Sequence, residues 1–217
     1  MEIIITTKSD KNNNWCVGGI RTADGSWIRP VRTGDDDSLT DENLVCTNGH
    51  IAGVLDVVDI DIAPGDAVAL HPHQVENVFM NTNVRPRYLR TATWDEVFRL
   101  HAPESRNMIL NNNTRYNSDR LPYNFVNNMS YKRSIMLAAV KNLDIMACEP
   151  GKSHPKAEFD YVNRNGESLH YRLTVTDPEY FNNGVIKSYR DACIIVSLAG
   201  EPYQGDYYLL AAQIIPQ

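Results

Sequence analysis

The sequence predicts an all-β fold with minor helical content, built as two small OB-type barrels joined by a connector with a short helix. Short runs rich in branched and aromatic residues, separated by turn residues, fill roughly the first eighty positions and return after Ser134. Each set holds about five such runs and one short helical segment, a pattern typical of OB-type barrels. Strand periodicity alone does not separate these barrels from SH3-like barrels.

Length and charge predict three regions in the chain. We expect a first OB-type barrel over residues 1–84, a basic connector of helix and loop over residues 85–133, and a second OB-type barrel over residues 134–217. Residues 33–84 hold ten acidic and no basic side chains, whereas residues 85–133 hold nine basic and four acidic ones, a net of +5. The net charge of −6 for the whole chain argues against non-specific coating of nucleic acid.

Composition indicates a folded protein outside the membrane. Hydrophobic residues make up 42% of the chain and charged residues 22%. No apolar run reaches the ~20 residues that span a bilayer, and the start MEIIITT reads as a first strand and not as a signal peptide. The four cysteines form no CxxC pair, which fits reduced thiols and a cytoplasmic location.

The strongest local signal is a hairpin over residues 15–31. Two short strands are joined by a tight turn at Asp24 and Gly25, where glycine readily adopts the positive φ that the turn requires. Pro30 removes a backbone donor, so we expect the second of these strands to lie at a sheet edge or to end there.

Shorter patterns predict the neighbouring elements. We expect a first strand at residues 2–7 and a polar loop at residues 8–14. One helical turn is expected within residues 38–44, capped by Thr40 or Ser38.

Period-two alternation predicts a strand at residues 53–62 that turns Val58 towards the core and Asp59 towards solvent. Asp56 faces the same way as Val58, so this half-buried carboxylate needs hydrogen bonds, which we expect from loop amides. Residues 68–70 and 76–80 are predicted as further short strands.

A capping-box pattern at Thr93 and Glu96 opens a short helix in the connector. After Ser134 the strand pattern returns as two apolar runs at residues 134–140 and 143–147. A hairpin turning at residues 163–166 and two closing strands at residues 193–202 and 207–215 complete the second set.

Aromatic and guanidinium groups concentrate in the first hairpin: Trp15, Arg21, Trp27, Arg29 and Arg32. Flat rings beside guanidinium forks suit nucleic-acid bases and phosphates. Alternation places Trp27, Arg29 and Val31 on one face, which predicts a partly exposed face. In the alternative interpretation the tryptophans fill the barrel, and the arginines pair with the acidic loop at residues 35–37.

Amide groups at Gln74 and Asn77 are able to read base edges, although such residues more often cap loops. The basic connector extends the predicted nucleic-acid contacts through Arg85, Arg87 and Arg90.

No catalytic or metal-binding motif emerges. Residues 151–153 resemble the end of a phosphate-binding loop, but Met146 stands where the first glycine is needed. His71 and His73 flank a proline without a cysteine near them, so we expect no metal. We expect no enzyme activity, no catalytic residue and no cofactor.

The chain resembles the dual OB-containing domain family of bacterial proteins along its whole length. The resemblance rests on the order and spacing of six segments, at residues 16–20, 27–31, 74–77, 171–178, 197–202 and 211–215. It implies a predicted nucleic-acid-binding module, often associated with bacterial conflict and anti-phage systems, without an established catalytic activity. Residues 12–14 are asparagine where the family pattern leads us to expect glycine.

These observations favour non-catalytic recognition of nucleic acid, single-stranded or structured, as an accessory or sensor component of a bacterial defence or nucleic-acid-processing assembly. One alternative is a sensor of a nucleotide or modified nucleoside, held in a cleft between the barrels. The other is a module that docks onto a protein partner through its acidic lobe.

Overall fold

The computed structural model describes residues 1–34, 37–105, 109–110, 119–130 and 132–217. These residues form two compact units. The first unit consists of Met1–His71 and Glu76–Ala102, and the second consists of Pro72–Val75 and Pro103–Gln217. None of the helices in the described ranges is long and apolar enough to cross a membrane.

The first unit is built on a six-stranded sheet of order β5-β3-β2-β1-β4-β6. Its strands are β1 (Glu2–Lys11), β2 (Asn14–Arg21), β3 (Trp27–Val31), β4 (Asp56–Asp59), β5 (Asn77–Phe79) and β6 (Arg87–Thr91). Its helices are α1 (Asp41–Leu44), α2 (Trp94–Leu100) and a 3-10 helix at Ala67–Ala69.

The first five strands of this unit have the connectivity of an OB barrel. β1 pairs with β2 and β4, β2 pairs with β3, and β3 pairs with β5 in parallel. An antiparallel bridge between Ile62 and Met80 joins the chain after β4 to the chain after β5. Branched side chains such as Ile3, Val17 and Ile28 fill the interior.

The second unit contains a closed five-stranded barrel. Its strands are β7 (Arg120–Pro122), β8 (Ile135–Ile145), β9 (Lys156–Val162), β10 (Ser168–Val175), β11 (Lys187–Leu198) and β12 (Asp206–Pro216). The sheet order is β10-β9-β8-β11-β12-β7, and a parallel pairing of β10 with β12 closes the barrel. Helix α3 (Tyr123–Asn127) follows β7, and a 3-10 helix at Pro178–Tyr180 follows β10.

Both units therefore confirm the all-β fold with OB-type connectivity. Several local predictions are confirmed as well, because they rest on neighbouring residues. The Asp24–Gly25 turn joins β2 to β3, and Thr40 and Thr93 cap α1 and α2. The Asp56 carboxylate is buried and accepts a hydrogen bond of 2.8 Å from the Gly53 amide, the loop amide that its position requires.

Other elements differ from the predictions. The predicted loop at residues 8–14 is the end of β1, a tight turn with positive φ at Asn12 and Asn13, and the start of β2. The predicted strand at residues 68–70 is wrong, since Ala67–Ala69 form a 3-10 helix capped by Asp66. The two apolar runs after Ser134 are one strand, interrupted where Asn142 has a φ of 51° and the register with β9 shifts.

The units also divide the expected connector between them. Residues up to Ala102 lie in the first unit because β6 pairs with β4, and residues from Pro103 lie in the second, where β7 pairs with β12. Four residues ahead of β5, Pro72–Val75, also belong to the second unit.

We expect Gly25→Ala to destabilise the first unit strongly. Gly25 has a φ of +68°, and an added Cβ would lie 2.1 Å from the Leu100 carbonyl oxygen. The positive φ costs about 1–2 kcal/mol, and relieving the overlap costs about 1–3 kcal/mol more. Gly49→Ala is the matched control, because Gly49 has a φ of +86° with nothing within 4 Å. Urea unfolding measures both variants, and equal losses would contradict this account.

We expect Asp177 to contribute stability that is lost as pH rises from about 4 through 6, so that the difference in stability between the parent protein and Asp177→Asn changes with pH in this range. Burial raises the pKa of Asp177 to about 6 from 3.8, even though its carboxylate accepts hydrogen bonds from Gln213, Ile214 and Glu179. Between these two pKa values the folded chain holds a proton that the unfolded chain has lost, so rising pH favours unfolding. The contribution of Asp177 is fully present below about pH 4, where it amounts to about 3 kcal/mol, and is lost above about pH 6. Urea midpoints across this pH range test the prediction, and identical profiles for both proteins would contradict it.

Candidate nucleic-acid interface

The exposed face predicted for the first hairpin is wrong. All five residues of β3 are buried, with Trp27 at 8% and Arg29 at 2% exposure. The Trp27 ring packs edge-on against the His101 ring at 4.9 Å. β3 lies between β2 and β5, not at an edge, and its parallel bonds to the β5 segment use the Arg29 amide and the Val31 carbonyl. Pro30 therefore occupies a position where that pairing needs no donor.

Trp15 is half-buried and engaged with its own unit. Its indole Nε1 donates a 2.7 Å hydrogen bond to Asp41 Oδ1, and Lys8 Nζ lies 4.6 Å from the ring centroid. Asp41 and Lys8 thus occupy the edge and a face of the ring that a stacking base would approach.

Several of the predicted arginines are paired with carboxylates. Arg21 lies 3.5 Å from Asp24, and the Arg32 side chain is half-buried. Arg90 makes a two-pronged contact with Glu96 at 2.8 and 2.5 Å, and Arg87 contacts Asp59 at 3.1 Å. Arg85 is exposed.

The amides and histidines serve structural contacts. Gln74 and Asn77 are buried, and Gln74 Nε2 donates to the Leu198 carbonyl at 3.1 Å. His71 Nε2 lies 3.2 Å from Asp37, whereas His73 Nε2 lies 3.0 Å from the Ala199 carbonyl. No three His, Cys, Asp or Glu side chains meet as a metal site within the described residues.

The acidic loop is only partly described. Asp35 and Asp36 lie outside the described residues, and Asp37 is a buried ion-pair partner of Lys11. Asp37 is therefore not an accessible docking residue.

The second unit carries an open cavity where OB barrels bind ligands. OB barrels bind oligonucleotides on the face of their second and third strands and in the adjoining loops. In this barrel those strands are β9 and β10, and the loop before them is residues 146–155. A cavity of about 460 Å³ lies between this loop and Lys156, Arg172 and Thr174. We call it the β8–β9 pocket.

The β8–β9 loop is held in shape by main-chain contacts. Residues 149–152 form a turn in which the Lys152 amide donates to the Glu149 carbonyl, with Pro150 and a Gly151 φ of +75° suited to a type II turn. The Cys148 amide donates to the Asn183 carbonyl, and the Asn182 amide donates to the Ser153 carbonyl. The pocket therefore has a preformed wall.

Positive charge converges on the pocket. Lys152, Lys156 and Arg172 line it with one carboxylate, Glu149, a net of +2. Arg172 lies 3.2 Å from Glu158 and 3.9 Å from Glu149, and Lys156 Nζ donates to Thr174 Oγ1 at 2.7 Å. Lysine and arginine in this arrangement can bind phosphate.

The middle of the β9–β10 face is acidic. Glu158 and Asp160 stand on it, opposite Arg172 and His170. Hydrogen bonds from Asn142 and His170 lower the pKa of Asp160, which keeps this carboxyl ionised at neutral pH. A polyanion is therefore attracted to the loop end of the face and repelled at its centre.

An aromatic surface lies beside the pocket on β12. Thr174 pairs with Leu210, and two residues earlier Tyr208 pairs with Arg120. Alternate residues share a face, so Leu210 and Tyr208 both point outward, about 7 Å apart along the strand. The Arg120 guanidinium lies 4.5 Å from the Tyr208 ring centroid, and the Tyr203 ring, 63% exposed, lies 6.3 Å from it. We call Thr174, Leu210, Tyr208 and Arg120 the outer track.

Comparison with known proteins identifies the family. The sequence model of the dual OB-containing domain matches residues 1–214, nearly the whole chain. The chain belongs to this family. No curated protein and no solved structure gives a significant match. The dual OB-containing chain thus has a fold of a type that commonly binds nucleic acids.

Sequence reasoning missed the residues of the β8–β9 pocket and the outer track. The sequence at residues 149–152 carries the proline-glycine signature of a turn ahead of a strand hairpin. In an OB barrel, such a turn between the first two strands marks the loop beside the ligand. Rejection of residues 151–153 as a phosphate-binding loop opening a helix agrees with the structure, where β9 follows.

We expect Arg29→Ala to lower the free energy of unfolding by about 2–5 kcal/mol, because the side chain is 2% exposed and its removal leaves a cavity. Arg87→Ala is the control, since its side chain is 65% exposed and its pair with Asp59 contributes at most about 1 kcal/mol. Urea unfolding compares the two. Similar losses would show that Arg29 is not held as the structure indicates.

Proposed function

We propose that this protein binds single-stranded nucleic acid through its second barrel. The observation that carries the proposal is the β8–β9 pocket, where Lys152, Lys156 and Arg172 converge beside a rigid loop. This location corresponds to the ligand site of OB barrels in general.

The outer track gives the path that a strand follows away from the pocket. Carboxylates on the β9–β10 face repel phosphates, whereas β12 offers Leu210 and then Tyr208. Arg120 already contacts the Tyr208 ring, so this site combines an aromatic face with a cation. Base stacking on such a ring contributes about 1–3 kcal/mol for each base. Stacking requires unpaired bases, which favours single strands over duplexes.

The protein acts, on this proposal, as a non-catalytic accessory or sensor component of a larger bacterial assembly. The family resemblance supports the bacterial conflict setting, and the pocket supports the ligand class. The ion-paired arginines of the first unit, Arg87 and Arg90, are secondary contacts at most.

Fluorescence anisotropy with labelled single-stranded DNA and RNA tests the proposal at two salt concentrations. We expect Lys152→Ala combined with Arg172→Ala to weaken binding by about tenfold or more, since two phosphate contacts are lost. The slope of log K against log salt should fall by about 0.7 for each lost contact.

Arg190→Ala is the matched control in the same barrel. Its side chain is 95% exposed, and it lies on β11, away from the pocket lining. This substitution also removes positive charge from the barrel, as the double substitution does, but it should leave affinity within about twofold. Affinity no better than millimolar for every single strand at low salt would refute the proposed function.

A further inference from the structure

The β8–β9 pocket holds two lysines that can meet the charge of a terminal phosphate. A phosphodiester within a strand carries a single negative charge, whereas a terminal phosphate monoester carries about −1.5 to −2 at neutral pH. Of the three cations that line the pocket, Arg172 is already paired with Glu158 at 3.2 Å, whereas Lys152 and Lys156 have no carboxylate within ion-pair distance among the described residues. Two ammonium groups without ion-pair partners match the charge of a terminal phosphate better than that of an internal one.

The surroundings of the pocket leave a strand one favourable direction. The β8–β9 loop folds over one side and is fixed by the Cys148 amide and the Ser153 carbonyl to residues 182–183. On the β9–β10 face, the carboxylates of Glu158 and Asp160 repel phosphates. The outer track over Leu210 and Tyr208 carries no carboxylate among its own residues, and the adjacent Asp119 carboxylate is paired with Arg120 at 3.0 Å. A strand that can extend from the pocket in only one direction must have its end in the pocket.

The spacing to the aromatic surface suits a short step along the nucleic acid. Thr174 lies opposite Leu210, and Tyr208 lies two residues, or about 7 Å, further along β12. Successive phosphates of an extended strand are separated by a similar distance, so a base one or two nucleotides from the end reaches the Tyr208 ring.

We propose that the β8–β9 pocket receives the terminal phosphate of a single strand, held by Lys152, Lys156 and Arg172, while Tyr208 and Arg120 contact a base near that end. This inference rests on the proposed function and specifies which part of the ligand the pocket binds. The group that the pocket binds is a phosphate monoester, which a strand can carry at its 5′ or its 3′ end.

Competition by unlabelled strands of one sequence tests the inference. The set consists of a 5′-phosphorylated strand, a 3′-phosphorylated strand, a strand with hydroxyl ends, a circular strand and the free mononucleotide. We expect one phosphorylated strand to bind about tenfold more tightly than the hydroxyl-ended and circular strands. Lys152→Ala with Arg172→Ala should abolish that difference, and Arg190→Ala should preserve it.

The outcomes separate this inference from the proposed function. Equal affinity for all strands, the circular one included, would overturn terminal recognition and leave single-strand binding intact. Binding of no strand would refute both. A mononucleotide that binds as tightly as the phosphorylated strand would overturn the contact at Tyr208 and identify a free nucleotide as the ligand.

Discussion

A parallel pairing of only two residue positions closes the second barrel. Thr174 pairs with Leu210 and Val175 with Ala211, so strands that are far apart in sequence become neighbours. A tight turn cannot join parallel strands, and the chain therefore passes through β11 before β12 returns beside β10. Without this seam, β10 and the part of β12 that follows its pairing with β7 would be open edges. With it, the pocket at the end of β10 and the aromatic surface on β12 become one continuous outer face.

The two barrels share one strand order but differ in the connection between their first two strands. In the first unit, Asn12 and Asn13 form the entire turn between β1 and β2, so this connection forms no projecting loop beside the second and third strands. Trp27 and Arg29, an aromatic and a guanidinium group on those strands, are buried. In the second unit, residues 146–155 separate the corresponding strands and form a wall. The length of the loop between the first two strands, more than strand composition, decides whether a barrel has a wall beside its second and third strands.

The sequence predicts what neighbouring residues determine. The turn at Gly25, the caps at Thr40 and Thr93 and the hairpin turn at residues 163–166 depend on residues a few positions apart, and the structure confirms them. The burial of Arg29 could not be predicted, because alternation shows which residues share a face and not what covers that face. The contact of Arg120 with the Tyr208 ring could not be predicted either, because it depends on the pairing of β7 with β12, two strands that are far apart in sequence.

The main chain, more than the side chains, shapes the β8–β9 loop. Its amides and carbonyls bond to residues 182–183 and to Lys156, while Glu149 and Lys152 extend outward from the turn. The walls of the cavity can therefore persist while the charges on them change. Single substitutions at these two positions offer a route to new ligands without refolding, so divergence there between otherwise similar chains would record a change of binding preference before any change of architecture.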